Sequence, residues 1–126
     1  MVCLMKSQHY LRPLCASALL ITSITSVALP NASQQEIDAL LRFVEDSGCT
    51  FIRNSTEHDS RDAKAHLQKK LDYLKRKELV DSTEDFITRA ATESSFSGTA
   101  YEVDCNGHKL RSADWLNQEL QRLRQD

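Results

Sequence analysis

Between residues 33 and 123 the apolar positions recur mostly at intervals of three and four, and in two places that rhythm gives way to short strand-like runs. Ile37, Leu40, Leu41 and Val44 share one face of a helix. Ser33-Gln34-Gln35-Glu36 reads as a capping box at its start, and Gly48 as its left-handed terminator. Cys49 to Arg53, CTFIR, is rich in β-branched and aromatic residues and predicts a strand. A second helix is predicted from Ser55 or Thr56 to the neighbourhood of Lys77, with Ala63, Leu67, Leu71 and Leu74 as its apolar stripe. Its closing lysines and arginine suit the negative end of the helix dipole. A third helix is predicted from Ser82, with Asp85 three residues on, burying Phe86, Ile87, Ala90 and Ala91.

The clearest signal follows. Tyr101 to Cys105 and His108 to Ser112 flank Asn106-Gly107, the preferred pair for a type I′ hairpin turn. A two-residue turn sets Cys105 against His108, Val103 against Leu110 and Tyr101 against Ser112. The same register opposes Asp104 to Lys109 and Glu102 to Arg111, two opposite-charge pairs on the other face. Ser112 then reads as the cap of a last helix whose inward residues are Trp115, Leu116, Leu120 and Leu123. The expected fold is α+β: one strand and an Asn-Gly hairpin forming a small antiparallel sheet, packed with about four helices.

The amino terminus carries a different pattern. Lys6, His9 and Arg12 precede an apolar run from Leu14 to Val27 and the small-residue site Ser26-Val27-Ala28. Together they read as a signal peptide cleaved after Ala28, with Met5 as an alternative start. The run is too short and too hydroxyl-rich for a membrane anchor. Residues 29–126 then form a single small domain, soluble and periplasmic, with no stable membrane insertion. They keep all 18 acidic residues but only 14 of the 16 Lys and Arg, a net charge of −4. That balance argues against nucleic acid as a partner. Cys49 and Cys105 remain as the only cysteine pair, and in an oxidising compartment they are expected to bridge.

Candidate chemistry centres on His58, Asp62 and His66. On one helix the two imidazoles stand about 12 Å apart along the axis and cannot ligate one ion. With about 100° per residue, His66 lies at the edge of the apolar stripe and His58 nearly opposite. No metal and no cofactor is therefore expected, and the acidic residues there suit a helix start. Ser94-Ser95-Phe96-Ser97-Gly98 matches no serine-nucleophile motif. It reads as a helix end turning into the hairpin, although its N–H groups and hydroxyls can also cup an anion near Arg53 or Arg89. Arg53 follows Phe51 on the inner side of its strand. It is expected to pair with Glu84 or Asp85, or else to hold a carboxylate or phosphate ligand.

SGCTFIRNSTEHDSRDAKAHLQKKLDYL, STEDFITRAATESSFSGTAYEVDC and WLNQEL resemble the YfeK-like proteins, small exported bacterial proteins of unknown function. The resemblance spans from the region of Ile37 to that of Leu120. It departs at Ser55, where glycine is expected, and at Ala100, where proline is expected. It implies a periplasmic location and supplies no activity. Its most specific positions, Arg53, Asn54, His58, His66, Ser95, Gly98 and Tyr101, would form a polar cleft if they converge. The reading that results is a non-enzymatic module of the cell envelope, binding a small ligand or an envelope protein. The alternative is a small hydrolase, metal-assisted or not, with His58 or His66 as general base.

Overall fold

The computed structural model describes residues 28–126 together with Ala18 and Leu20; the signal sequence proposed for residues 1–28 lies almost entirely outside the described residues. Four helices and four strands follow in the order α1 (Asn31–Asp46), β1 (Thr50–Arg53), β2 (Thr56–His58), α2 (Ser60–Arg76), α3 (Thr83–Ala90), β3 (Glu102–Cys105), β4 (His108–Arg111) and α4 (Ser112–Gln125). The fold is α+β, with an antiparallel sheet ordered β2-β1-β3-β4. α1 packs against all three other helices, and α2 and α4 contact the sheet. Between these layers lies one core built on Ile37, Leu40, Leu71, Phe86, Val103 and Leu116. Trp115 closes its edge, with its ring centroid 4.4 Å from Phe43 and 5.6 Å from Phe51.

The sheet has one strand more than the pattern of residues predicts. Thr56–His58 is not the start of a helix but an edge strand folded back on β1, pairing Phe51 with His58 and Arg53 with Thr56. The turn between them places both Asn54 (φ 49°) and Ser55 (φ 64°) in the left-handed region. That is the geometry of a type I′ turn, which usually announces itself by a glycine. Serine at the second position hides it. α2 then starts later than predicted, capped by Asp59, whose Oδ1 accepts from the Asp62 N–H at 2.8 Å. His58 and His66 therefore do not share a helix.

Two further starts differ. α1 begins at Asn31 behind Pro30, not at Ser33, and Glu36, in its second turn, plays no capping role. Its carboxylate accepts from Thr83 Oγ1 at 2.6 Å and takes a two-pronged contact from Arg124. Ser112 is the first residue of α4, without a capping hydrogen bond from its side chain. Elsewhere the local chemistry acts as the sequence suggests. Gly48 follows α1 with φ 64°, and Ser82 caps α3 by accepting from the Asp85 N–H at 3.0 Å.

β3 and β4 pair in the register set by Asn106-Gly107, from Cys105 opposite His108 to Glu102 opposite Arg111. The register continues in the Ser112 N–H, which donates to the Tyr101 carbonyl at 2.9 Å. β1 lies beside β3, and Thr50 faces Asp104. This brings Cys49 and Cys105 to a Cα separation of 4.6 Å, and they form the disulfide that ties the first hairpin to the second.

Candidate functional site

Strand alternation decides which side chains face the helices. Phe51 and Val103 are cross-strand partners, and both are buried. His58 and Leu110 are opposite them in the same row. Two residues along each chain come Arg53 and Tyr101, on that same inner side. α2 runs across it and presents His66, Lys69, Lys70, Tyr73 and Leu74, residues spaced to share one helix face. The segment from Glu93 to Ala100 closes the far wall; a bridge between those two residues holds it together.

Tyr101 is the hub. It is buried, and its hydroxyl lies 3.0 Å from His66 Nε2 and 3.2 Å from Lys70 Nζ. Lys70 also donates to the Glu93 carbonyl at 3.0 Å. An ammonium can only donate, so Lys70 uses one lone pair of the phenol oxygen. With the His66 ring neutral and protonated at Nδ1, Nε2 accepts the phenol proton. Electrostatics agree with this assignment. Burial, and then the positive charges of Arg53 and Lys70, push the His66 pKa from its ordinary 6.5 down to about 4. Burial also lowers Lys70 and raises Tyr101.

Two cavities flank this hub, and Arg53, His66 and Tyr101 line both. The smaller, of about 30 Å³, reaches to His58 and Ser112. Its wall includes the buried His58 Nε2, which has no hydrogen-bond partner within the protein. The larger is a groove of about 670 Å³ between α2 and the segment around Ser95. Arg53, Lys69, Lys70 and Arg89 line it, no acidic side chain does, and Tyr73, Leu74 and Phe96 supply apolar wall.

The predicted cleft residues distribute unevenly. Asn54 and Ser95 line the groove, and His58 only the small cavity. Gly98 lines neither. Its φ of 71° turns the chain, and its N–H donates to the Ser94 carbonyl at 2.8 Å. Ser94, not singled out by sequence, organises this loop: its buried hydroxyl accepts from the N–H groups of Phe96 and Ser97 and from Asn54 Nδ2. Ser97 donates to Asn54 Oδ1. The N–H groups of Phe96, Ser97, Gly98 and Thr99 thus donate within the loop, so positive charge in the groove comes from side chains.

Arg53 does not take the partner predicted for it. Glu84 pairs with Arg124 at 2.6 Å, and Asp85 accepts from the Asp81 N–H. No carboxylate among the described residues forms an ion pair with Arg53 or with Lys69, Lys70 or Arg89. Neither histidine meets a serine hydroxyl or a carboxylate, the contact that the hydrolase alternative requires. No group of three or more His, Cys, Asp or Glu among the described residues is placed to hold a metal ion.

A disulfide-braced α+β domain with a basic groove beside a half-buried Tyr–His–Lys cluster is the class of protein that emerges. The chain belongs to the family of unknown function DUF5329, whose sequence profile matches residues 31–124. It is 32% identical over 89 residues to the uncharacterized protein YfeK of Salmonella typhimurium strain LT2, covering 69% of this chain and 72% of that protein. No solved structure matches it.

Proposed function

We propose that the protein is an exported, non-enzymatic ligand-binding module of the bacterial envelope whose groove accepts an anion. One observation carries this reading. Four cationic side chains, Arg53, Lys69, Lys70 and Arg89, line one groove with no acidic side chain among them, in a chain of net negative charge. Random placement of charge on an acidic protein disperses its cations among carboxylates. Here they repel one another: Arg53 lowers the pKa of both His66 and Lys70. A bound phosphate, sulfate or carboxylate relieves that repulsion.

Export is read from residues 1–28 as a cleaved signal and residues 29–126 as the mature domain. It is supported by the Cys49–Cys105 disulfide, a bond favoured in oxidising compartments. No helix among the described residues is long and apolar enough to cross a membrane. The experiment is a two-dimensional NMR titration of residues 29–126 with sodium sulfate against sodium chloride at equal ionic strength. Saturable shifts confined to the amides of Arg53, His66–Tyr73 and Ser94–Tyr101 are expected with sulfate. Identical, non-saturating shifts with both salts would remove the proposal.

A further inference from the structure

The groove has a second character that charge does not explain. Its wall is mainly apolar. Leu74 forms part of the interior, while two aromatic side chains in the lining stand out in solvent: Phe96 is 96% exposed and Tyr73 is 51% exposed. An exposed phenyl ring gains nothing for folding, and leaving apolar area in water costs about 25 cal/mol per Å². Phe96 is not a chance exposure in a slack loop. The N–H of Phe96 and that of Ser97 both donate to the buried Ser94 hydroxyl, which fixes the turn that projects the ring. Tyr73 follows His66 and Lys70 along the same face of α2, so aromatic and cationic positions form one continuous stripe.

Resting on the anion reading above, we infer that the groove's ligand is an amphipathic anion: a phosphate or carboxylate head held by Arg53, Lys70 and Arg89, with a single apolar chain lying along Tyr73, Leu74 and Phe96. The volume supports this. About 670 Å³ is more than a lone oxyanion fills and falls within the size range of pockets for drug-sized ligands. The carboxylate of Glu93 acts on Lys70 through its charge but does not line the groove. A membrane surface is the less fitting partner, because the domain outside the groove is acidic and would be repelled by anionic lipid.

The test compares octyl phosphate, methyl phosphate and octyl glucoside by isothermal titration calorimetry, each below its micellar concentration, against residues 29–126 with the disulfide intact. Each buried methylene multiplies affinity by about four. Octyl phosphate is therefore expected to bind at least tenfold more tightly than methyl phosphate, with octyl glucoside silent. The double variant Tyr73→Ala/Phe96→Ala truncates two solvent-exposed rings, so it should fold. It is expected to bring octyl phosphate down to methyl phosphate's affinity and leave methyl phosphate unchanged. Equal affinity of the two phosphates overturns the amphipathic ligand while the anion reading stands. Octyl glucoside binding as well as octyl phosphate overturns the anion reading, and no binding by any of the three overturns both. Octyl phosphate binding unaffected by the double variant overturns the assigned path of the chain.

Discussion

Acidification should destabilise this protein through one ring. His66 is neutral in the fold, with a pKa near 4 against an ordinary 6.5. The unfolded chain then binds the proton more tightly than the native state, so stability present above pH 6.5 is lost as the pH falls through 4. If the whole difference were realised, moving from pH 7 to pH 5 would cost about 2 kcal/mol. The ring is partly exposed and screened by solvent, which reduces the expected loss to about 1 kcal/mol. The cause is identifiable: burial penalises a charged ring first, and that ring would also face Arg53, Lys70, His58 and Lys69 and no longer accept the Tyr101 proton. The window from 7 to 5 is chosen because Glu36 and Glu84, held below the usual carboxylate range by Arg124, stay ionised throughout it. Urea unfolding of the wild type and of His66→Gln at both pH values isolates the effect, since glutamine can still accept from Tyr101 but does not titrate. With a slope near 1 kcal/mol per molar, the wild-type midpoint should fall by roughly 1 M more than the variant's. Parallel curves, or an NMR titration placing His66 near 6.5, would refute the reasoning.

Three more outcomes follow from the same geometry. Replacing Cys49 and Cys105 with serine opens a loop closed across a sequence separation of 56 and should lower unfolding free energy by roughly 4 kcal/mol, read from urea curves; a loss below about 1 kcal/mol would mean that the unfolded chain is already compact there. Ser55→Gly relieves a left-handed backbone at φ 64° and should raise the melting temperature by a few degrees, equivalent to about 0.5–1 kcal/mol, whereas an unchanged or lower melting temperature would place the turn elsewhere. Arg53→Met removes a cation that faces His66, and the His66 resonance should then titrate at a higher pH than in the wild type; an unmoved titration would mean that Arg53 has no part in setting its pKa.

What sequence could and could not show divides along physical lines. The β3–β4 hairpin was legible because two independent local signals agree: an Asn-Gly turn and charge pairs whose register matches it. The Cys49–Cys105 bridge followed from counting. The β1–β2 hairpin was hidden because its turn carries serine where glycine would signal it, and because its stabilising contacts are remote in sequence. Asn54 is held by Ser94 and Ser97, forty or more residues away. That long-range clamp lets a non-glycine pair occupy a left-handed turn, so the information sat in the serine segment instead of in the turn. The capping box misled for a related reason: Glu36 has the right spacing for a local role, but a tertiary partner, Arg124, outcompetes it.

The groove shows the same separation more sharply. Lys69 and Lys70 read, in sequence, as ordinary complements to the helix dipole, and Arg89 only as a cation near the serine segment. Their meaning depends on where β1 delivers Arg53, and that is fixed by the sheet register: Ile52 faces Glu102, so the next step sets Arg53 beside Tyr101. A slip of one residue in that pairing would turn one strand's side chains to the opposite face and separate Arg53 from Tyr101. The disulfide joins the residue before β1 to the last residue of β3, three residues before Ile52 and three after Glu102. It holds the pairing on which the groove's electrostatics depend. The covalent bond and the basic groove are therefore two consequences of one register, and this is the sense in which a chain of net negative charge comes to gather four of its cations in one place.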